Sequence, residues 1–351
     1  MMKSWEKVGN KGILKDILFV EGYGNSSNVY LINGDDATLI DTGNDYTIFF
    51  ELQDKRNIYD IESVFLTHSH NDHSLGLFEL LRRYDDLSFT VYLHESVSDG
   101  LKKILNRMKR DDIKVSELKG GEILNLSGYE FRVLYTPGHT IDSISLYNEE
   151  SGVLFSGDSV VMNPVIDERL GGKLTDYIIS IRLLRKLKVN AILPGHGYIA
   201  KKDCDKILDG VYLKAIGELS DTSLKDAALT ALKLGMVEEA EFALENLRED
   251  FRDEVAIKAL ASIKADKGDY DRVIELLSPL IDQNDFQSLY IAGMAALKVM
   301  RYDDAVNFFK KALSVRDDRR IKIMLGTALY ESGRIEDALR IEEFKNVIRS
   351  L

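Results

Sequence analysis

A chain of 351 residues, 45% hydrophobic and 30% charged, is long enough for two domains and is composed like a soluble protein with an ample core. Its net charge of −12, acidic in both halves, argues against broad phosphate-backbone binding and leaves room only for a local basic groove, so nucleic acid is not the expected partner. One cysteine, Cys204, excludes an internal disulfide framework; the polar N-terminus and the lack of any apolar run near ~18 residues argue against a leader or membrane span and set a cytoplasmic expectation.

Residues 1–215 read as one domain of short apolar runs broken by glycine-containing turns. Extended segments are expected at 17–22, 28–34, 37–43, 63–68, 89–94, 129–136, 143–148, 152–158 and 190–196. Helical segments are expected at 47–56, 75–84 and 175–187. The densest basic stretch, "LKKILNRMKRDDIK" (101–114), carries Asp111 and Asp112 and reads as a solvated helix face. Strands mixed with helices imply a layered α/β domain.

From residue 221 the strand-like runs stop and an Ala- and Leu-rich helical period takes over. The heptapeptides "LGMVEEA", "KGDYDRV", "VMRYDDA" and "SGRIEDA" end at Ala240, Val273, Ala305 and Ala338, spaced by 33, 32 and 33 residues. Twelve positions earlier sit Ala228, Ala261, Gly293 and Gly326; four positions later sit Leu244, Leu277, Phe309 and Glu342. Small residues let paired helices approach closely, and a period near 33 is that of helical-hairpin arrays. The pattern resembles tetratricopeptide repeats, about four of them over 221–351. The last helix carries Leu339, Phe344, Val347 and Leu351, an apolar face expected to pack on the first domain or on a second copy.

The chain has six histidines, and three fall in "THSHNDH" as His68, His70 and His73, with Asp72 beside them. A strand precedes this stretch and a helix follows it, which puts the cluster on a loop at a sheet edge. His68 and His70 are two apart and can point the same way on extended backbone. Asp72 and His73 lie on the turn into the helix, so one loop can feed two metal ions. His139 in "TPGHT", Asp158 in "FSGDS", His196 in "LPGHG" and Asp41 in "LIDTG" each follow a strand and stand near glycine.

These residues resemble the metallo-β-lactamase superfold, whose His-x-His-x-Asp-His signature is matched by "THSHNDH". The resemblance implies an αββα sandwich with metals at one edge. It implies that His68, His70 and His139 hold one metal, that Asp72, His73 and His196 hold a second, and that Asp158 bridges them. Asp41 and Asp72 are the carboxylates it assigns to the catalytic apparatus, Asp41 behind the ligands and Asp72 as a ligand rather than a free base. His94, in "YLHES", matches no ligand motif and reads as a partly exposed loop histidine.

Imidazole and carboxylate donors suit two divalent cations, zinc first and iron or manganese also. Such a pair lowers the pKa of a bridging water towards neutrality, so the expected enzyme is a metal-dependent hydrolase using a bridging hydroxide. The segments "TPGHTIDSISLY", "LFSGDS" and "LPGHG" are similar to the glyoxalase II and thioesterase branch, which implies a small thioester, lactone or other ester as substrate. Three alternatives stay open: a ribonuclease or phosphodiesterase, a mononuclear iron sulfur dioxygenase, and a scaffold whose repeats bind a partner protein or self-associate.

Overall fold

Each of the nine runs read as extended forms a strand in the computed structural model, which describes residues 4–34, 36–44, 47–53, 55–108, 111–248 and 253–350. Seven strands form the first sheet, in the spatial order β1 (Glu6–Lys7), β2 (Ile17–Val20), β3 (Val29–Asn33), β4 (Ala37–Ile40), β5 (Ile61–Phe65), β6 (Phe89–His94) and β7 (Ile113–Leu118). The second sheet is built from β8 (Ile123–Leu126), β9 (Tyr129–Tyr135), β10 (Ile144–Asn148), β11 (Val153–Gly157) and β12 (Ala191–Pro194), in the order β12-β11-β10-β9-β8.

The parallel pairs each need a crossover, and helices supply them. Between β4 and β7 these are α1 (Thr47–Leu52), α2 (Asn71–Arg83) and α3 (Asp99–Met108); between β11 and β12 it is α4 (Leu174–Arg185), packed on α5 (Cys204–Gly217). Ile32, Ile40 and Phe65 of the first sheet meet Phe131, Leu146, Phe155 and Leu193 of the second in one inter-sheet core. The alternate residues Leu31, Leu39 and Val64 face outward and pack with Leu77 and Leu80 of α2 and Leu101 of α3. Strands buried on both faces are why these runs read as continuously apolar.

This topology positions the candidate residues. Asp41 follows β4, His68 and His70 follow β5, His139 follows β9, Asp158 follows β11 and His196 follows β12. All leave the carboxyl ends of their strands, where an α/β layer commonly builds its site.

Three edge strands, β1, β7 and β8, escape the sequence pattern, and β1 is only two exposed residues long. Of β7, read partly as the basic helix 101–114, only Ile113 and Leu118 are buried, and of β8 only Leu126. Lys114, Ser116 and Glu117 put polar residues on both faces of β7, and β8 is only four residues long, so neither shows a clear apolar alternation. Within 101–114, α3 buries Leu101 and Leu105, while 109 and 110 lie outside the described residues. Helix α2 begins at Asn71, four residues before the expected start, so Asp72 and His73 occupy its first turn.

Met1–Glu218 and Leu219–Leu351 form two compact units. The second contains α6 (Leu224–Lys233), α7 (Val237–Glu245), α8 (Glu254–Asp266), α9 (Tyr270–Asp282), α10 (Phe286–Lys298), α11 (Tyr302–Val315), α12 (Arg319–Glu331), α13 (Ile335–Leu339) and α14 (Glu342–Ser350). The second residue of each repeated heptapeptide takes the left-handed conformation that ends a helix: Gly235, Gly268, Met300 and Gly333 have φ of 77°, 78°, 58° and 81°. Ala228, Ala261, Gly293 and Gly326 are buried where helices cross. A Cβ on Gly293 would lie 2.5 Å from the Phe309 ring, and one on Gly326 would lie 2.3 Å from that of Phe344. Phe344 is therefore covered by its own repeat and does not await another surface. Leu339 is 41% exposed, and Leu351 lies outside the described residues.

Candidate metal centre

The strand ends bring His68, His70, Asp72, His73, His139, Asp158 and His196 into one cluster. Three triads each place one donor atom per residue within 4.8 Å of the others: His68, His70 and His139; His68, His73 and Asp158; Asp72, His73 and His196. His68 and His73 are fully enclosed, whereas the His196 side chain keeps 35% of its surface exposed. Asp158 stands between the groups. Its Oδ1 is 3.4 Å from His73 Nε2, and its Oδ2 is 3.5 Å from His139 Nε2 and 3.6 Å from His196 Nε2. At Gly195, a Cβ would come within 2.3 Å of Asp158 Oδ1 and 2.6 Å of His73 Cε1, so only glycine leaves the cluster its room.

Hydrogen bonds on the far side of each ring decide which nitrogen faces inward. His139 Nδ1–H donates to the Val165 carbonyl at 2.6 Å, and His70 Nε2–H to Asp167 Oδ2 at 3.1 Å. Thr67 Oγ1–H donates to Asp41 Oδ2 at 2.8 Å, so this hydroxyl accepts from His68 Nδ1–H at 3.1 Å. The inward atoms are then His139 Nε2, His70 Nδ1 and His68 Nε2, all bearing lone pairs. Yet His70 Nδ1 lies 2.9 Å from each of the other two. Three lone pairs at this range repel unless a cation lies among them. The spacing approaches the ~3.3 Å edge of a tetrahedron built on metal–nitrogen bonds of ~2.05 Å.

The charge balance asks for the same remedy. Burial and the neighbouring His73 push His68 well below the usual imidazole range, and burial lowers His139 too. Both are held neutral, as ligands must be. Burial opposes charge on His73, but Asp158 and Asp41 outweigh it and raise its pKa well above the ordinary value. Burial likewise opposes ionisation of Asp158 and Asp72. The charge of His73 holds Asp158 far below the carboxylate range, and the His196 hydrogen bond with the His73 charge holds Asp72 below it. The Asp72 contact in turn raises His196. Asp158 Oδ1 finds no hydrogen-bond donor among the described residues. A cluster of ionised carboxylates around a buried histidine needs positive charge, and its donor set fits divalent cations.

The two ends of the cluster are braced differently. Asp41 is 2% exposed, with φ of 56°, a strained value that aspartate tolerates better than most residues. Its Oδ1 accepts from Thr67 N at 2.8 Å, and its Oδ2 accepts from His73 Nδ1–H at 2.7 Å. At the other end the brace is the loop 159–173, through the Val165 carbonyl and the Asp167 carboxylate. Asp167 N–H also donates to the His139 carbonyl at 2.9 Å, and the Arg169 guanidinium holds the Asp167 carboxyl well below its usual range.

Val165 and Asp167 carry no motif, and Thr67 opens "THSHNDH" without being one of its signature positions, so the sequence pattern assigns none of the three a role. His94 is corrected: it ends β6, is 4% exposed and stacks on Tyr135 with ring centroids 4.4 Å apart. It is a buried histidine outside the cluster.

Residues 22–196 match the model of the metallo-beta-lactamase superfamily. Residues 220–312 match that of anaphase-promoting complex, cyclosome, subunit 3. The chain is 32% identical over 206 residues to a protein of Methanocaldococcus jannaschii named a probable metallo-hydrolase, covering 53% of this chain and 95% of that one. It is 25% identical over 205 residues to an atrochrysone carboxyl ACP thioesterase of Aspergillus terreus, covering 57% of this chain and 56% of the relative. It is 28% identical over 205 residues to a human acyl-coenzyme A thioesterase, covering 49% and 74%. The chain thus spans little more than half of the fungal thioesterase. It belongs to the metallo-beta-lactamase superfamily, and a tetratricopeptide-like helical region follows that domain in the chain.

Proposed function

We propose that this chain is a metal-dependent hydrolase that cleaves a small thioester, with lactones and other esters as the neighbouring substrate classes. The observation that carries the reading is the convergence of the His68, His70 and His139 lone pairs beside a second donor set at Asp72, His73 and His196. In this reading each set would hold one divalent ion, zinc or else iron or manganese, with Asp158 available to both. When bound, such ions supply Lewis acidity and acidify water.

The chain's own residues orient and enclose. Asp41 fixes the His73 tautomer, Thr67 that of His68, Asp167 that of His70 and the Val165 carbonyl that of His139. The His196 loop is anchored by Asn28, whose Nδ2–H donates to the Pro194 and Gly197 carbonyls, and by the Tyr30 hydroxyl, which donates to Pro194 O. A cavity of about 490 Å³ lined by His70, Asp72, Val165 and Arg169 gives a small acyl group access to the centre. The names of the fungal and human relatives support thioesters over other esters.

The test is a panel of generic thioesters, esters, lactones and phosphodiesters given to protein loaded with zinc, iron or manganese. Thioester cleavage abolished by chelation is expected. Cleavage of phosphodiesters alone would sink the reading. The helical repeats are the surface we assign to a protein partner or to self-association. Sedimentation of the full chain and capture of partners by it distinguish the two.

A further inference from the structure

A second cavity, of about 320 Å³, lies against the same loop. Asp142 and Ser69 line it, and both are buried, at 2% and 7% exposure. Neither carboxylate oxygen of Asp142, nor Ser69 Oγ, meets a hydrogen-bond partner among the described residues. Leaving such acceptors buried and unmatched is costly, so a donor is called for. The cation on the wall is committed elsewhere: Arg169 gives Nε–H and an Nη2–H to Asp167, each at 3.1 Å. Nearby His94 makes no hydrogen bond to Asp142, and its Nδ1 accepts the Ser96 N–H. Exposed Asp99 adds a second carboxylate at the rim.

Position and size narrow the occupant. Ser69 stands between His68 and His70 in the chain, and Arg169 lines both this cavity and the one over His70 and Asp72. The two spaces therefore adjoin, and a substrate held at the metal centre can reach the second. At about 30 Å³ per water, the cavity has room for several heavy atoms, more than a bare ion fills. Val97 and Ile141 offer apolar wall, suited to methylene groups. A primary ammonium carries three donors, and the two Asp142 oxygens and Ser69 Oγ are three acceptors.

We propose that the cavity bounded by Asp142 and Ser69 is a subsite for a primary alkylammonium group of the substrate. The inference rests on the hydrolase reading above for the substrate's reactive end, but not for the binding itself. Two measurements on the metal-loaded full chain separate them. The first is binding of propylammonium, followed by NMR, against tetramethylammonium, which has no N–H donor, and potassium ion. Propylammonium is expected to bind at least tenfold more tightly than either, and Asp142→Asn and Ser69→Ala each to weaken it at least tenfold. Equal binding of potassium, or binding unchanged in both variants, would overturn the subsite.

The second compares kcat/KM for β-alanyl and butanoyl thioesters of one thiol, which differ by ammonium against methyl. A preference of at least tenfold for the β-alanyl ester, lost in Asp142→Asn with butanoyl turnover unchanged, is expected. Selective propylammonium binding with neither ester cleaved would keep the subsite and defeat the hydrolase reading. Equal cleavage of both esters without propylammonium binding would do the reverse.

Discussion

The two ends of the histidine cluster solve one problem with different means. At one end, His73 is oriented by Asp41, a buried carboxylate just past the end of β4 that also accepts from Thr67. At the other, His70 and His139 are oriented by a single surface loop, through Asp167 and the Val165 carbonyl. The first brace is part of the core and forms whenever the sheet forms. The second depends on a loop whose carboxylate is shared with exposed Arg169. Half of the centre should therefore be rigid and half adjustable.

The largest effect is expected where the ends meet. Asp158→Ala removes the carboxylate near both donor sets, and kcat/KM should fall by about 10³-fold or more, the rate equivalent of the several kcal/mol that metal ions supply. Steady-state kinetics with metal analysis checks this. Asp41→Asn should lower metal affinity by about 10–100-fold, the usual cost of losing an outer partner of a ligand. Asp167→Asn should lie nearer the bottom of that range, about tenfold, because its loop can readjust. Competition against a chromophoric chelator reads both, and equal losses would erase the distinction between core and loop bracing. The smallest effect lies in the repeats. Met300 holds a left-handed conformation that its three counterparts give to glycine. Met300→Gly should stabilise the helical unit by about 0.5–1 kcal/mol, the relieved strain less glycine's entropy cost, with metal content unchanged. Denaturant unfolding measures it.

The sequence shows one half of this comparison better than the other. His68, His70, His73, His139 and His196 are rare residues at the ends of apolar runs, so both their chemistry and their topology can be read from the chain. Asp167 is one acid among many, in a loop 97 residues from its partner His70, and nothing local marks it. His94 closes the extended run 89–94 yet reads as partly exposed, because nothing local in "YLHES" shows that Tyr135 will cover it. Strands β7 and β8 stay hidden because an edge needs no apolar stripe. The repeats are legible because their contacts are local and recur: Gly293 meets Phe309, 16 residues on, and Gly326 meets Phe344, 18 residues on. Asp142 carries no signal at all in "HTIDS", and only its burial without a donor singles it out.

The proposed centre holds a pair of metal ions among the inward nitrogens and carboxylates. Elemental analysis of the purified chain after exhaustive dialysis tests it most directly. About two divalent ions per chain are expected, lost together with thioester cleavage in Asp158→Ala. Trace metal only, with cleavage unaffected by chelation, would contradict it.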